Sequence, residues 1–266
     1  MRIRAEKILK YTDKIIPVIY DTVDSTNRVA AGLARESAKQ GTVVIARNQT
    51  VGRGRLGRSF VSYDGGIYMS FVLRPDESAD DALFITVAAA VAVSRAVERV
   101  IHKKCDIKWV NDIYINGKKV CGILTEGGIN PKTQKLEYAI LGIGINLFAT
   151  KEKGFDSLQI AGTVFEKHRY FKEDIAARLI AETANEFFGF YGDLSSKKYI
   201  AEYQSRSLLD GKQISYQKDG KVFNATVIGV DDNARLLVKS GECVTALSTG
   251  EVQITSAENL FENKRG

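Results

Sequence analysis

Two regimes of hydrophobic patterning divide the chain. Up to about residue 210, β-branched runs alternate with stretches whose apolar positions recur at helical spacing, and beyond it only short β runs remain. The first helical stretch lies in YDTVDSTNRVAAGLARESAKQG. There Asp24, Ser25 and Thr26 offer N-caps ahead of Val29, Ala30, Leu33 and Ala34, with Gly41 as the stop. GTVVIARNQ reads as a buried strand, and RSFVSYDGGIYMSFVLRP, with its Gly65-Gly66 break and closing Pro75, as further strand. A helix over Leu83–Ile101 follows, and its even run of alanine and valine predicts deep burial. CDIKWVNDIYINGKKVCGILTEG reads as two strands joined at Asn116-Gly117, the dipeptide favoured in two-residue hairpin turns. KLEYAILGIGIN is a further buried strand ending in small residues, and residues 147–162 form a long polar loop of the kind that closes over sites. Ile175, Leu179, Ala181 and Phe187 mark a helix over Phe171–Tyr191, LSSKKYIAEYQSRSLL marks another, and Gly211 ends them.

The remainder, KQISYQKDGKVFNATVIGVDDNARLLVKSGECVTALSTGEVQIT, strings short β runs between Asp-Gly, Ser-Gly and Thr-Gly turns, the spacing of a small all-β barrel. The pattern therefore predicts an α+β domain over residues 1–210 and a small β-barrel domain over residues 211–266.

Composition narrows the class without altering this picture. A chain of 266 residues that is 44% hydrophobic can bury a full core. Its longest apolar run, Ala82–Val93, is too short to span a bilayer, so no membrane partner is expected. The N-terminal MRIRAEKILKYTDK lacks the apolar segment of a signal peptide, which predicts a cytoplasmic protein. Cys105, Cys121 and Cys243 are odd in number and widely spaced, and His102 and His168 lie far apart, so neither a disulfide frame nor a zinc site is indicated. A net charge of +6 with scattered lysines argues against a continuous nucleic-acid face and for an anionic small molecule or an acidic protein surface.

The chemistry concentrates in QTVGRGRLGRSF. Gly52, Gly54 and Gly57 stand at the G-x-G-x-x-G spacing of dinucleotide loops, but such a loop must open a helix, and the residues that follow read as strand. Arg53, Arg55 and Arg58 leave three readings: a solvated basic loop, a nucleic-acid patch, or a loop in which backbone N–H groups and bidentate arginines hold a small phosphate-bearing ligand.

Taken together, DSTN at a helix start, Gln49 with GRGRLGR, KWVND and GKKVCGIL on a hairpin, and GIGIN at a strand end resemble the biotin protein ligases, in order and spacing, over most of residues 20–150. The resemblance implies a catalytic domain of the class II aminoacyl-tRNA synthetase-like type, a mixed sheet flanked by helices, with a small SH3-like C-terminal barrel. It implies an enzyme that joins biotin to ATP as biotinyl-5'-AMP and transfers biotin to a lysine of a biotin carboxyl carrier protein. Ser25, Thr26 and Gln49 would meet the ureido head of biotin, with Asn27 following in the same cap motif; Arg53, Gly54 and Arg55 would cover the ligand, Gly52 beside them also counting as biotin-binding; Tyr68, Ser70 and Gly122 would line the pocket wall. Lys119 would hold the biotin carboxylate and the transferring phosphoryl oxygens, with Arg55 and Arg58 orienting the ATP phosphates. Trp109, Asn111 and Asp112 would lie near the nucleotide, Asp112 beside Mg²⁺, and Asn146 near the adenine. The arginines and Lys119 also suit this chemistry on physical grounds, because fixed positive charge must stand where a carboxylate meets a phosphate.

Two departures from the family pattern stand out. Val110 occupies the place of the usual proline in KWPND, which frees the φ that proline would fix. Some members carry an N-terminal helix-turn-helix that makes them repressors; only residues 1–23 precede DSTN, so no sequence-specific DNA binding is expected. The family also suggests a homodimer through an edge strand. The nearest alternative is a lipoate or octanoate ligase or transferase of related fold, and a more distant one is a non-enzymatic nucleic-acid binder.

Overall fold

Seven strands share one sheet in the computed structural model, which describes residues 2–75, 81–129, 136–149, 161–165, 172–248 and 252–257. The strands are β1 (Ile16–Val23), β2 (Thr42–Gln49), β3 (Ile67–Leu73), β4 (Asp106–Lys108), β5 (Asp112–Ile115), β6 (Lys118–Ile129) and β7 (Leu136–Ile145), in the order β1-β2-β3-β7-β6-β5-β4. Only β1 and β2 run parallel, joined by the crossover helix α2 (Thr26–Arg35) that follows the short α1 (Ala5–Ile8); the other pairings are antiparallel. The helices α3 (Asp81–Ile101), α4 (Lys172–Tyr191) and α5 (Ile200–Ser205) complete this part of the molecule. Strands β8 (Gln213–Lys218), β9 (Lys221–Val230), β10 (Leu236–Ser240), β11 (Cys243–Leu247) and β12 (Val252–Ala257) form a second, antiparallel sheet in the order β11-β10-β9-β8-β12.

The period of two along each central strand decides where a ligand can sit. Val43 and Ile45 of β2, Ile67, Met69, Phe71 and Leu73 of β3, and Leu141, Ile143 and Ile145 of β7 join the main core with α3 and α4. The alternate positions Val44, Val72 and Ile140 pack with Ala30 and Ala34 of α2. Farther along the same face the large side chains give way to Ser70, Gly142, Gly144 and Gly122, which leaves a depression, walled by Tyr68, beside the start of α2. The alanine and valine side chains from Val87 to Val93 are wholly buried, as the sequence predicts for α3.

Several boundaries differ from the sequence expectation. The stretch expected to be two strands is a three-strand meander, because Trp109, Val110 and Asn111 leave the ladder between β4 and β5. Other elements hold these three residues. The Trp109 Nε1–H donates to Ala234 O (2.9 Å), the Tyr203 hydroxyl donates to Val110 O (3.1 Å), and Asn111 Nδ2 donates to Ile123 O (2.7 Å). Helix α2 stops at Arg35, before Gly41, whose φ of +83° and close approach to Lys14 O serve the entry to β2. The stretch from residue 194 is a single 3₁₀ turn (Leu194–Ser196) followed by α5. Residues 150–160 of the polar loop read as a lid lie outside the described residues. Among the described residues no helix is long and apolar enough to cross a membrane.

Candidate active site

The neutral end of the depression is built on the first turn of α2. Ser25 occupies the N-cap position but makes no side-chain cap, and Ser25, Thr26 and Asn27 are buried polar residues at the cavity wall. The Thr26 N–H and hydroxyl both reach Gln49 Oε1 (2.8 and 3.0 Å), while Gln49 Nε2 donates to Ser62 Oγ (3.0 Å). Behind them Ser70 Oγ lies 2.8 Å from Thr26 Oγ1 and donates to Asn27 Oδ1 (2.6 Å), and Asn27 Nδ2 donates to Glu126 Oε2 (2.7 Å). These contacts fix the amide orientations of Gln49 and Asn27. The space for Asn27 exists because residue 142 is glycine: a Cβ there would stand 2.1 Å from Asn27 Oδ1.

The arginine loop folds back over this depression as a small hairpin. Phe60 N–H donates to Gly52 O (2.9 Å) and Gly54 N–H to Arg58 O (2.7 Å), and one 3₁₀ turn spans Arg55–Gly57. No helix begins there, so the glycine spacing is not that of a dinucleotide loop. Gly57 takes φ +73° and the exposed Leu56 φ +55° at the tip. Phe60 returns into the cavity with its ring over Gly122 and Gly144, where a Cβ on either glycine would meet ring carbons at 2.9 or 2.7 Å. The ring stands edge-on to Tyr68, with centroids 6.3 Å apart.

The opposite end is cationic. Arg55, Arg58, Lys108 and Lys119 line it, and Asp112 is the only carboxylate among the described lining residues. Lys119 Nζ lies 2.7 Å from Asp112 Oδ1, and Arg55 Nη1 reaches Asn111 Oδ1 at 3.4 Å. Lys119 owes its direction to a register shift: Tyr114 pairs with Lys119 but Ile113 with Cys121, so Val120 is a bulge residue. Strict alternation would place Lys119 and Gly122 on opposite faces of β6; the bulge brings both to the cavity and leaves Lys118 exposed. Burial lowers the pKa of Lys108, opposed by Asp112 and reinforced by Lys119 and Arg58. Burial likewise lowers that of Arg55, opposed by Asp112. The buried thiols have no place here, since burial raises Cys105 to about 12 and raises Cys121 as well.

Most of the residues singled out from the sequence converge on this cavity, but Gly52, Ser70 and Asn146 do not line it. Ser70 stands behind Thr26 and Asn27. Gly52 sits where a Cβ would come within 2.1 Å of Phe60 O, and Asn146 uses its backbone to bond Val120 O and Val164 N. Phe60, Lys108, Leu124, Gly142 and Gly144 line the cavity without having been singled out. The two glycines were signalled by alternation within GIGIN and Lys108 by its place in KWVND; nothing in the sequence marks Phe60. Among the described residues no three His, Cys, Asp or Glu side chains gather to hold a metal.

Comparisons with known proteins agree with this geometry. Residues 19–146 match the Biotin/lipoate A/B protein ligase family. The chain is 32% identical over 241 residues to the bifunctional ligase/repressor BirA of Bacillus subtilis, covering 89% of this chain and 73% of that protein. It is 27% identical over 249 residues to the biotin--[acetyl-CoA-carboxylase] ligase of Mycobacterium tuberculosis, covering 87% of each. The structure superposes on the biotin protein ligase from Aquifex aeolicus in complex with biotin and ATP with a TM-score of 0.73 and 25% identity, covering 90% of this chain and 97% of that one. A neutral polar recess, an arginine hairpin above it and a cationic end beside it thus stand on the fold of these enzymes, and the chain belongs to the biotin protein ligase family.

Proposed function

We propose that the protein activates biotin with ATP to biotinyl-5'-AMP and then transfers biotin to a specific lysine of a biotin carboxyl carrier protein. The observation that carries this reading is the pairing, in one cavity, of a neutral hydrogen-bonding recess with five cations against a single carboxylate among the described lining residues. The ureido group is neutral and both donates and accepts, which suits Ser25, Thr26, Asn27 and Gln49. Phe60, seated over Gly122 and Gly144, and Tyr68 offer apolar surface for the rings, with Ser70 holding Thr26 and Asn27 from behind.

In the first step a biotin carboxylate oxygen forms a bond to the α-phosphorus while the bond to the β-phosphate oxygen breaks and pyrophosphate leaves. Two anions approach each other, so fixed cations at the meeting point lower the barrier. Lys119 is the charge placed there; Arg55, Arg58 and Lys108 face the phosphates, and Trp109 and Asn111 border the nucleotide. In the second step the carrier amine attacks the acyl carbon and AMP leaves. The arginine hairpin, with Arg53 and Gly54 at its base, shields the anhydride from water meanwhile. A single carboxylate among cations does not suit a resident metal, but it fits an ion carried in by a triphosphate, with Asp112 as the protein ligand and the phosphates supplying the remainder. That ion would supply charge neutralisation on the phosphates.

The test supplies the protein with biotin, ATP and Mg²⁺. Pyrophosphate release with retained biotinyl-5'-AMP is expected. No release with biotin alongside activity with octanoate or lipoate would assign the chain to the neighbouring ligases. We also propose that the protein does not read DNA sequence; any duplex binding should be weak and steeply salt-dependent, and a footprint on one defined site at physiological salt would overturn this.

A further inference from the structure

Glu126 lies outside the cavity wall, yet its carboxylate touches both halves of the site. One oxygen accepts from Asn27 Nδ2 at 2.7 Å, and the other lies 3.0 Å from Arg53 Nη1. Asn27 is fixed from the other side by Ser70, so its amide has one orientation, and that orientation presents the N–H group to Glu126. Arg53 is the first arginine of the hairpin, bridged to Ser59 on the returning limb, and its side chain is half exposed. Glu126 is carried by β6 and paired with Ile140 at the centre of the sheet. This carboxylate ties the recess on α2 directly to an arginine of the hairpin, whereas Gln49 links Thr26 only to Ser62, beyond the returning limb.

We propose that Glu126 is a positioning residue that latches the arginine hairpin to the ligand recess. It touches no reacting atom. Seating a ligand against Asn27 stiffens Glu126, and Glu126 holds Arg53 and with it the base of the hairpin. The inference rests on the adenylate-forming reading given above for its second readout, but not for its first.

Glu126→Gln keeps an oxygen to accept from Asn27 and turns an amide N–H₂ toward Arg53, so it breaks the latch on the hairpin side only. The first readout is limited trypsin digestion of the ligand-free protein, because Arg53, Arg55 and Arg58 are themselves tryptic sites. An exposed ion pair of this kind holds a segment by a modest factor, so cleavage within the hairpin should rise about two- to fivefold in Glu126→Gln, with cleavage elsewhere and the thermal midpoint unmoved. The second readout is escape of biotinyl-5'-AMP formed in place from biotin and ATP, which should rise by a similar factor. With cleavage scored after Arg55 and Arg58 only, since Arg53→Ala removes its own tryptic site, Arg53→Ala should reproduce both effects, and the double variant Arg53→Ala/Glu126→Gln should exceed neither single variant. Unchanged cleavage in Glu126→Gln, or effects that multiply in the double variant, would overturn the latch. Failure of the wild-type protein to form the adenylate would refute the activity and be read separately, since the digestion needs no ligand.

Discussion

Lys118 and Lys119 are neighbours with opposite fates, and the difference lies in one bulge residue. Lys119→Ala should depress adenylate formation by about 10²- to 10³-fold, the usual cost of removing one preorganised charge at a developing anion, while Lys118→Ala should change it little. Pyrophosphate exchange measures both. Transfer from chemically supplied biotinyl-5'-AMP should suffer less in Lys119→Ala, because the anhydride is already made. Gly142→Ala tests the recess: its methyl group must displace the Asn27 amide, so biotin affinity measured by calorimetry should fall by an order of magnitude or more while Lys119 chemistry is untouched. The place of Lys119 at the cavity was legible in GKKVCGIL, but its company with Gly122 on one face was not, since simple alternation separates them. A bulge is set by pairing with another strand, and no local pattern around Val120 announces it.

At the scale of elements, the arginine hairpin owes its form to glycine. Gly52 lets the Phe60 carbonyl approach and Gly57 turns the tip, while little of the hairpin is buried in the core. Arg55→Gly removes the guanidinium that reaches Asn111 and adds backbone freedom, so adenylate should escape before the carrier arrives and exposed lysines of an added bystander protein should become biotinylated. Blotting for biotin on that bystander reads the outcome; wild-type selectivity would leave Arg55 without this role. Strands β2, β3, β6 and β7 and the buried α3 were legible because period and composition agree over many residues, whereas the edge strand β1, whose side chains are half-buried or exposed, was not. The meander reads as two strands in the sequence because Trp109 and Val110 are strand-forming residues whose partners, Ala234 and Tyr203, lie far along the sequence. Tertiary hydrogen bonds outweighed local propensity there.

For the whole molecule, the cationic end leaves a mark on stability. Lys108 is half-buried near Arg58 and Lys119, and partial burial holds its folded pKa below that of the unfolded chain. Between those two values the unfolded chain holds a proton that the folded protein has released, so this residue makes stability rise with pH across that window and contributes nothing further above it. The thermal midpoint of Lys108→Met should lack that rising component. Saturating pyrophosphate, by drawing the proton back onto Lys108, should flatten it in the wild-type protein. The architecture has a kinetic consequence as well. The cavity floor is a hydrogen-bonded sheet and its roof is an exposed hairpin, so a ligand enters and leaves through the same moving part. By microscopic reversibility, a looser roof that forfeits no ligand contact speeds arrival and departure of biotin equally and leaves its equilibrium affinity where it was. The adenylate is made inside and never has to arrive, so for it only the departure counts. Substitutions in the hairpin can therefore set the residence time of the reactive intermediate across a wide range without any trace in a biotin-binding isotherm, and selectivity for the carrier can drift while affinity stands still.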